Sequence, residues 1–178
     1  MNHEKSHFDK KIALILDTGA LLAKFYRYAP RMRADIYTTE GAISEVRDQE
    51  NKQALIEALE LKLVLVQVPE RAFIDKVVEV AKTIGCLHKL SSIDIEIAAL
   101  SLQLQSSYTE IVVITDDYEL QNLLNYMGIS FKPLRTRGIR DLRIFNAQCP
   151  ICGYIPGKPG EDTCPLCGSK IKRRNLLR

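Results

Sequence analysis

Five carboxylates and four thiols stand out in this chain of 178 residues for the positions they occupy. Asp17 follows the apolar run Ile12–Leu16, and Asp116 and Asp117 follow the run Ile111–Ile114 through Thr115. Asp94 ends a Ser91-Ser92-Ile93-Asp94 quartet, and Glu45 lies a helical turn beyond Gly41 and Ala42. Each acid has an ordinary explanation by itself. Asp caps helix N-termini well, the Ser91 to Asp94 spacing is that of a capping box, and a Glu within a helix is commonly solvated. Gathered at one sheet edge without matching cations, the same acids would repel one another strongly. A hard divalent cation relieves that repulsion, and an all-oxygen ligand set suits Mg²⁺ or Mn²⁺. Ions held this way activate water and stabilise the attacking and leaving oxygens of phosphoryl transfer. Two other routes to phosphate chemistry are missing: His88 is the single histidine beyond the N-terminal tail, and no Gly-rich phosphate loop follows a strand.

The thiols form two near-identical knuckles, Cys149-Pro150-Ile151-Cys152-Gly153 and Cys164-Pro165-Leu166-Cys167-Gly168, with 11 residues between Cys152 and Cys164. Each turns two thiolates toward one point, and four sulfurs suit a tetrahedral structural zinc. Iron in a rubredoxin-like site would use the same ligands, and disulfides are the remaining alternative, disfavoured in a reducing compartment. A segment this small needs such an ion to fold. Pro156-Gly157 and Pro159-Gly160 mark a turn-rich connection between the knuckles. Cys86 reads as a buried small hydrophobe.

Positioning the acids requires strands that end where helices begin. Ile12–Leu16 and Ile111–Ile114 are short apolar runs of the kind buried on both faces of a parallel sheet. Ile36–Thr39, Lys62–Val66 and Ile129–Phe131 supply three further strands. Helical spacing follows Asp17, runs from Glu40 to Asp48 and from Asn51 to Leu59, and continues from Phe73 to Ile84, from Ser91 to Leu104 and from Asp117 to about Met127. The alternation predicts a three-layer α/β/α domain with a parallel sheet in strand order 3-2-1-4-5. That order sets the first and fourth strands side by side, with their acids in the crevice beyond the strand C-termini, where open sheets bind ligands. The domain is expected over 12–132, after a loose tail over 1–11. A basic linker follows over 133–146, then a zinc ribbon with a basic tail over 147–178.

The net charge of +3 is unevenly spread. From Lys132 to Arg178 there are 11 Lys and Arg against 3 Asp and Glu, leaving 14 against 19 in the rest of the chain. An acidic body with a basic tail suggests a polyanionic partner held beside an acidic pocket. Arg135, Arg137, Arg140 and Arg143 in the linker and Lys170, Lys172, Arg173 and Arg174 in the tail are the expected phosphate contacts. No apolar run approaches a membrane span or a signal peptide, which points to a cytoplasmic protein.

Asp17-Thr18-Gly19-Ala20, Glu45, Ser91-x-x-Asp94 and Thr115-Asp116-Asp117, in this order over Ile12 to Lys132, resemble the PIN-domain nucleases. The resemblance implies a metal-binding tetrad of Asp17, Glu45, Asp94 and Asp117, with Asp116 adjoining it and Thr18, Ser91 and Thr115 in support. Joined to a basic linker and a cysteine ribbon, and carrying Leu90-Ser91-x-x-Asp94-Ile95-Glu96 and Thr115-Asp116-Asp117-Tyr118-x-x-Gln121-Asn122, the chain looks like the Nin-one-binding protein family, in a compact archaeal form. That family implies a Mg²⁺- or Mn²⁺-dependent endoribonuclease acting on single-stranded pre-rRNA to mature the 3′ end of small-subunit (16S) rRNA. Its partners would be the small-subunit precursor and other assembly factors, not a membrane. The alternatives are a non-catalytic RNA-binding assembly factor, whose acids only cap helices, and a PIN-type toxin ribonuclease.

Overall fold

The computed structural model describes residues 11–176. Five parallel strands, β1 (Ile12–Leu16), β2 (Ala34–Thr38), β3 (Leu65–Val66), β4 (Glu110–Ile114) and β5 (Ser130–Lys132), form one sheet in the order β3-β2-β1-β4-β5. This is the order read from the sequence. Leu16 lies opposite Ile114, so Asp17 and Thr115 leave the two central strands side by side. Ile111 to Ile114 of β4 are all buried, as they must be when helices cover both faces of the sheet. The helices are α1 (Thr18–Leu22), α2 (Glu40–Ser44), α3 (Gln49–Glu60), α4 (Arg71–Thr83), α5 (Ser92–Leu104) and α6 (Tyr118–Tyr126).

In α5, Ile95, Ile97, Ala98, Ala99, Leu100, Ser101 and Leu104 are all buried, so the helix is enclosed on most of its circumference. Three expectations need correction. The run 40–48 is not one helix, because Asp48 takes an extended backbone to cap α3 through Asn51, and α2 already ends at Ser44. Glu45 is therefore a helix C-cap and not a mid-helix residue. The third strand has only two residues instead of five, because the chain first closes α3: Lys62 adopts a φ of 54° and Leu63 N–H reaches back to the Ala58 carbonyl. Helical spacing after Asp17 also breaks at Lys24, another positive-φ residue, and continues as a 3₁₀ turn over Phe25–Arg31.

The C-terminal part is tied more closely to the domain than a tether and a tail would be. β6 (Phe145–Gln148) begins inside the expected linker and pairs antiparallel with β7 (Lys172–Asn175), which the sequence reading left as basic tail. The cysteine knuckles lie between these strands, around a small core of Ala147, Cys149, Cys164 and Ile171. Gly85, at a φ of 67°, lets β6 approach the end of α4, where Phe145 N–H donates to the Ile84 carbonyl at 2.8 Å. Of the expected tail over 1–11, only Lys11 is described; its carbonyl accepts from the Thr109 N–H and hydroxyl. The rest, with His3 and His7, lies outside the described residues, as does Arg178.

Candidate active site and metal centre

Asp17, Thr18, Glu45, Asp94, Thr115 and Asp117 meet at the C-terminal edge of the sheet. Asp17 caps α1, accepting from Ala20 N–H at 2.7 Å, and it hydrogen-bonds with the Thr115 side chain. Thr115 Oγ1 also accepts from Asp117 N–H at 3.1 Å, which links the ends of β1 and β4. Asp117 caps α6 through Glu119 and Leu120 N–H at 2.7 and 2.9 Å. Ser91 and Asp94 form a complete capping box: Asp94 Oδ2 accepts from Ser91 N–H at 2.7 Å and from its hydroxyl at 2.8 Å. Glu45 joins through Thr18, whose hydroxyl donates to its carboxylate at 2.7 Å.

The electrostatics are those of crowded, uncompensated acids. Burial pushes the Asp17 carboxyl up, and Asp94 and Asp116 add to the rise, against the hydrogen bonds from Thr115 and Ala20. Burial likewise raises Asp94, with Asp117 and Glu45 contributing, against its Ser91 bonds. Among the described residues, none of Asp17, Glu45, Asp94 and Asp117 forms an ion pair with Lys or Arg. The acids are more widely spaced than the thiols. Among the described residues, the only His, Cys, Asp or Glu group of three or more whose ligand atoms all fall within 4.8 Å of one another is the cysteine quartet.

Asp116 has a different job from its neighbours. Its Oδ1 accepts from the N–H groups of Leu134, Arg135 and Thr136 at 2.9, 2.9 and 3.1 Å, and its Oδ2 pairs with Arg135 Nε at 3.0 Å. Burial would raise this carboxyl, but the Arg135 backbone and guanidinium and the Thr136 and Leu134 N–H groups outweigh it and hold it far below the usual range. Through these four bonds Asp116 anchors the linker. Arg135, expected on RNA, is the partner in this anchor, and its Nη2 reaches the mouth of the acid pocket beside Gly19.

The C-terminal cations divide by strand geometry. On β7, Lys172 and Arg174 are exposed, while Arg173 between them points inward. Arg173 makes a bidentate pair with Glu119 at 2.7 and 2.6 Å and lies 4.2 Å over the Phe145 ring. This removes it from the free phosphate contacts. Lys170 and Arg174 are exposed, and Arg137, Arg140 and Arg143 form no ion pair among the described residues. Glu119 carries no local signal of its role, being a first-turn helix acid whose partner lies 54 residues further on. Gln121 and Asn122 are buried amides that hold the linker backbone. Gln121 bridges the Thr115 carbonyl and Ile139 N–H, while Asn122 bonds both the N–H and the carbonyl of Arg143. His88 is buried far from any role in the acid pocket, among Lys89, Arg173, Asp162 and Glu119.

The four sulfurs lie within 4.8 Å of one another, a grouping that could hold a metal ion. Cys149 and Cys167 Sγ lie 3.4 Å apart, and Cys152 and Cys164 lie 3.5 Å apart. A tetrahedron with metal–sulfur bonds of about 2.3 Å has edges of about 3.8 Å. All five cysteines are free thiols, and Cys86 is buried apart from the four. Without a metal the crowded thiols pull apart in acidity: the Ser169 backbone N–H, followed by its hydroxyl, holds the Cys167 thiol down, whereas at Cys152 the Tyr154 backbone N–H is outweighed and hydrogen bonding to Cys164 pushes the thiol up.

The sequence has counterparts among known proteins. The model for the PIN domain of ribonuclease matches residues 14–104. The endoribonuclease Nob1 of Methanothermobacter thermautotrophicus is 30% identical over 171 residues, which covers 94% of this chain and 97% of that one. Nob1 of Methanocaldococcus jannaschii is 31% identical over 163 residues, 90% of this chain and 76% of its own. The ribonuclease VapC3 of Aeropyrum pernix is 35% identical over a shorter reach, 127 residues or 71% of this chain and 88% of that one. Acids at the edge of a parallel sheet, a family model over half the chain and Nob1 relatives aligned along nearly all of it lead to one conclusion: the chain belongs to the PIN-domain ribonucleases.

Proposed function

We propose that this protein is a divalent-metal-dependent endoribonuclease that cleaves single-stranded pre-rRNA to mature the 3′ end of small-subunit (16S) rRNA. The observation that carries the reading is the acid quartet of Asp17, Glu45, Asp94 and Asp117, which lacks cationic partners among the described residues and is fixed to a sulfur-ligand module by an ordered basic segment. The donor chemistry fits a hard cation, since four carboxylates repel one another unless positive charge joins them. Asp17, Glu45, Asp94 and Asp117 would hold Mg²⁺ or Mn²⁺, and such an ion supplies charge stabilisation on the phosphate oxygens and an activated water. The protein's own part is positioning. Thr115 ties Asp17 to Asp117, Ser91 fixes Asp94, and Thr18 holds Glu45, so no carboxylate has to find its place during the reaction. Cys149, Cys152, Cys164 and Cys167 would hold Zn²⁺ as a closed structural site.

Substrate contact is assigned to the cations still free, Arg137, Arg140, Arg143, Lys170, Lys172 and Arg174. The work would be cytoplasmic, on the small-subunit precursor; no described helix is long and apolar enough to cross a membrane. A second reading, a non-catalytic assembly factor, draws support from the caps that Asp17, Asp94 and Asp117 make. Single-turnover incubation with a pre-rRNA fragment spanning the 3′ end, with and without Mn²⁺, separates the two. The nuclease reading expects a metal-dependent product that Asp17→Asn reduces by orders of magnitude while RNA affinity holds. Tight RNA binding with no metal-dependent product would leave the assembly factor as the function.

A further inference from the structure

A cleft of about 690 Å³ opens beside the acid pocket, between the start of α6 and the linker. Its walls include Tyr118, Asn122, Arg137, Arg140, Arg143 and Phe145. Within the motif that opens α6, most members already have a task. Asp117 caps the helix and faces the acids, Asp116 anchors 134–136, and Gln121 and Asn122 hold Ile139 and Arg143. Tyr118 is left over. It is 51% exposed, has no hydrogen-bond partner among the described residues, and lines the cleft one residue from Asp117.

The cations opposite it are also unclaimed. Arg137, Arg140 and Arg143 lack ion-pair partners among the described residues, yet the segment that carries them is held at Ile139 and Arg143 by two buried amides. Two acids also line the cleft. Glu119 is neutralised by Arg173 in a bidentate pair, which leaves Asp141 as the carboxylate that offsets the three guanidinium groups. An aromatic face and free arginines lining one cleft are the equipment of single-stranded nucleic-acid binding, in which a base stacks on the ring and phosphates meet the cations.

We propose that this cleft is a nucleotide subsite: the base next to the scissile phosphate stacks on Tyr118, and the backbone beyond it runs along Arg137, Arg140 and Arg143. The proposal deepens the endoribonuclease reading and rests on it for the position of the scissile bond. The subsite selects unpaired RNA, because a base within a duplex cannot present its face to a side chain. It also explains why the linker is rigidly bonded to α6, since mobile arginines would lose more entropy on gripping the strand.

The test uses the full chain with its cysteine-bound metal retained and no Mg²⁺ or Mn²⁺ present. Binding of a fluorescein-labelled ten-nucleotide single-stranded RNA is followed by anisotropy. The RNA is taken intact and as a series with one abasic position each. Tyr118→Ala should weaken the intact RNA by about 5- to 150-fold, the range of a single base stack. Tyr118→Phe should stay within about twofold of wild type. One abasic position should weaken wild-type binding and cost Tyr118→Ala nothing more. Replacing Arg137, Arg140 and Arg143 with Gln should flatten the salt dependence by up to about 0.7 per lost phosphate contact. Wild-type affinity in Tyr118→Ala, or equal abasic penalties in wild type and variant at every position, overturns the subsite. These measurements need no cleavage, so an inactive wild type with this binding pattern sinks the nuclease reading alone.

Discussion

The clasp between Arg173 and Glu119 should hold the C-terminal module to the nuclease domain, and its strength can be worked from its surroundings. Both side chains are 27% exposed, intermediate between a surface pair and a buried one. Exposed pairs contribute up to about 1 kcal/mol, whereas breaking a buried pair costs about 3–5 kcal/mol. Two parallel N–H···O bonds at 2.7 and 2.6 Å and desolvation over Phe145 push the estimate above the exposed range. About 2 kcal/mol for the pair is the middle value, with roughly 0.5–1 kcal/mol more for the guanidinium on the ring. Arg173→Leu should therefore destabilise by about 2.5–3 kcal/mol. Glu119→Gln should cost less, because the amide still accepts one hydrogen bond. Urea unfolding of wild type, both single variants and the double variant, with the cysteine metal kept in place, gives the coupling energy directly. Circular dichroism is the suitable probe, since the chain has no Trp. A coupling below about 0.5 kcal/mol, with Arg173→Leu as stable as wild type, would refute the clasp.

Three further outcomes follow from the same geometry. Gly85→Ala should destabilise by more than the roughly 1–2 kcal/mol of a left-handed backbone, because a Cβ there runs into the Phe145 carbonyl oxygen; urea titration reads the loss. In protein free of Mg²⁺ and Mn²⁺, Asp17→Asn should raise the melting temperature at pH 7, since the folded-state carboxyl is pushed above its unfolded value and its favourable contribution is lost as pH rises through that raised value. Below about pH 4 both states hold the proton and the gain should vanish; a variant equally stabilised at pH 3 would contradict this sign. Stripping the cysteine metal should unfold the small core around Ala147, Cys149, Cys164 and Ile171 and so loosen β7 and its Arg173 from α6, giving faster amide exchange at Glu119 and Leu120; unchanged exchange would mean the module is held without its metal.

The parallel order of the strands and the gathering of the acids were legible because both follow from local pattern. Apolar runs such as Ile111–Ile114, each followed by an acid and a helix, leave few topologies open once crossovers are right-handed. The quartet of cysteines was legible for the same reason, as the Cys-x-x-Cys spacing sets each knuckle locally. Partnerships set by tertiary approach were not legible. Nothing local distinguishes Asp116 from Asp117, yet one faces the linker N–H groups and the other caps α6 at the acid pocket. The run Lys170 to Arg174 reads as a uniform basic tail until β7 gives it a period of two and turns Arg173 inward against Glu119. Glu45 read as a helix interior residue because the extended backbone of the Asp48 cap is invisible to periodicity.

The start of α6 is where these separate pieces become one device. Within seven residues, Asp116 and Gln121 hold the linker, Asn122 holds Arg143, Glu119 holds the strand that closes the cysteine module, and Asp117 faces the acid pocket. A division of the chain at 132 follows the end of the parallel sheet, but it cuts all of these bonds except the Asp117 cap. Gln121 and Asn122 are almost completely buried. Their bonds to the docked linker are shielded from water and stabilise that docking by about 0.5–1.5 kcal/mol each. The helix whose cap is Asp117 is therefore positioned from its C-terminal partners as much as from the sheet. For that reason the basic segment is better regarded as the last layer of the acid site than as a tether between two domains.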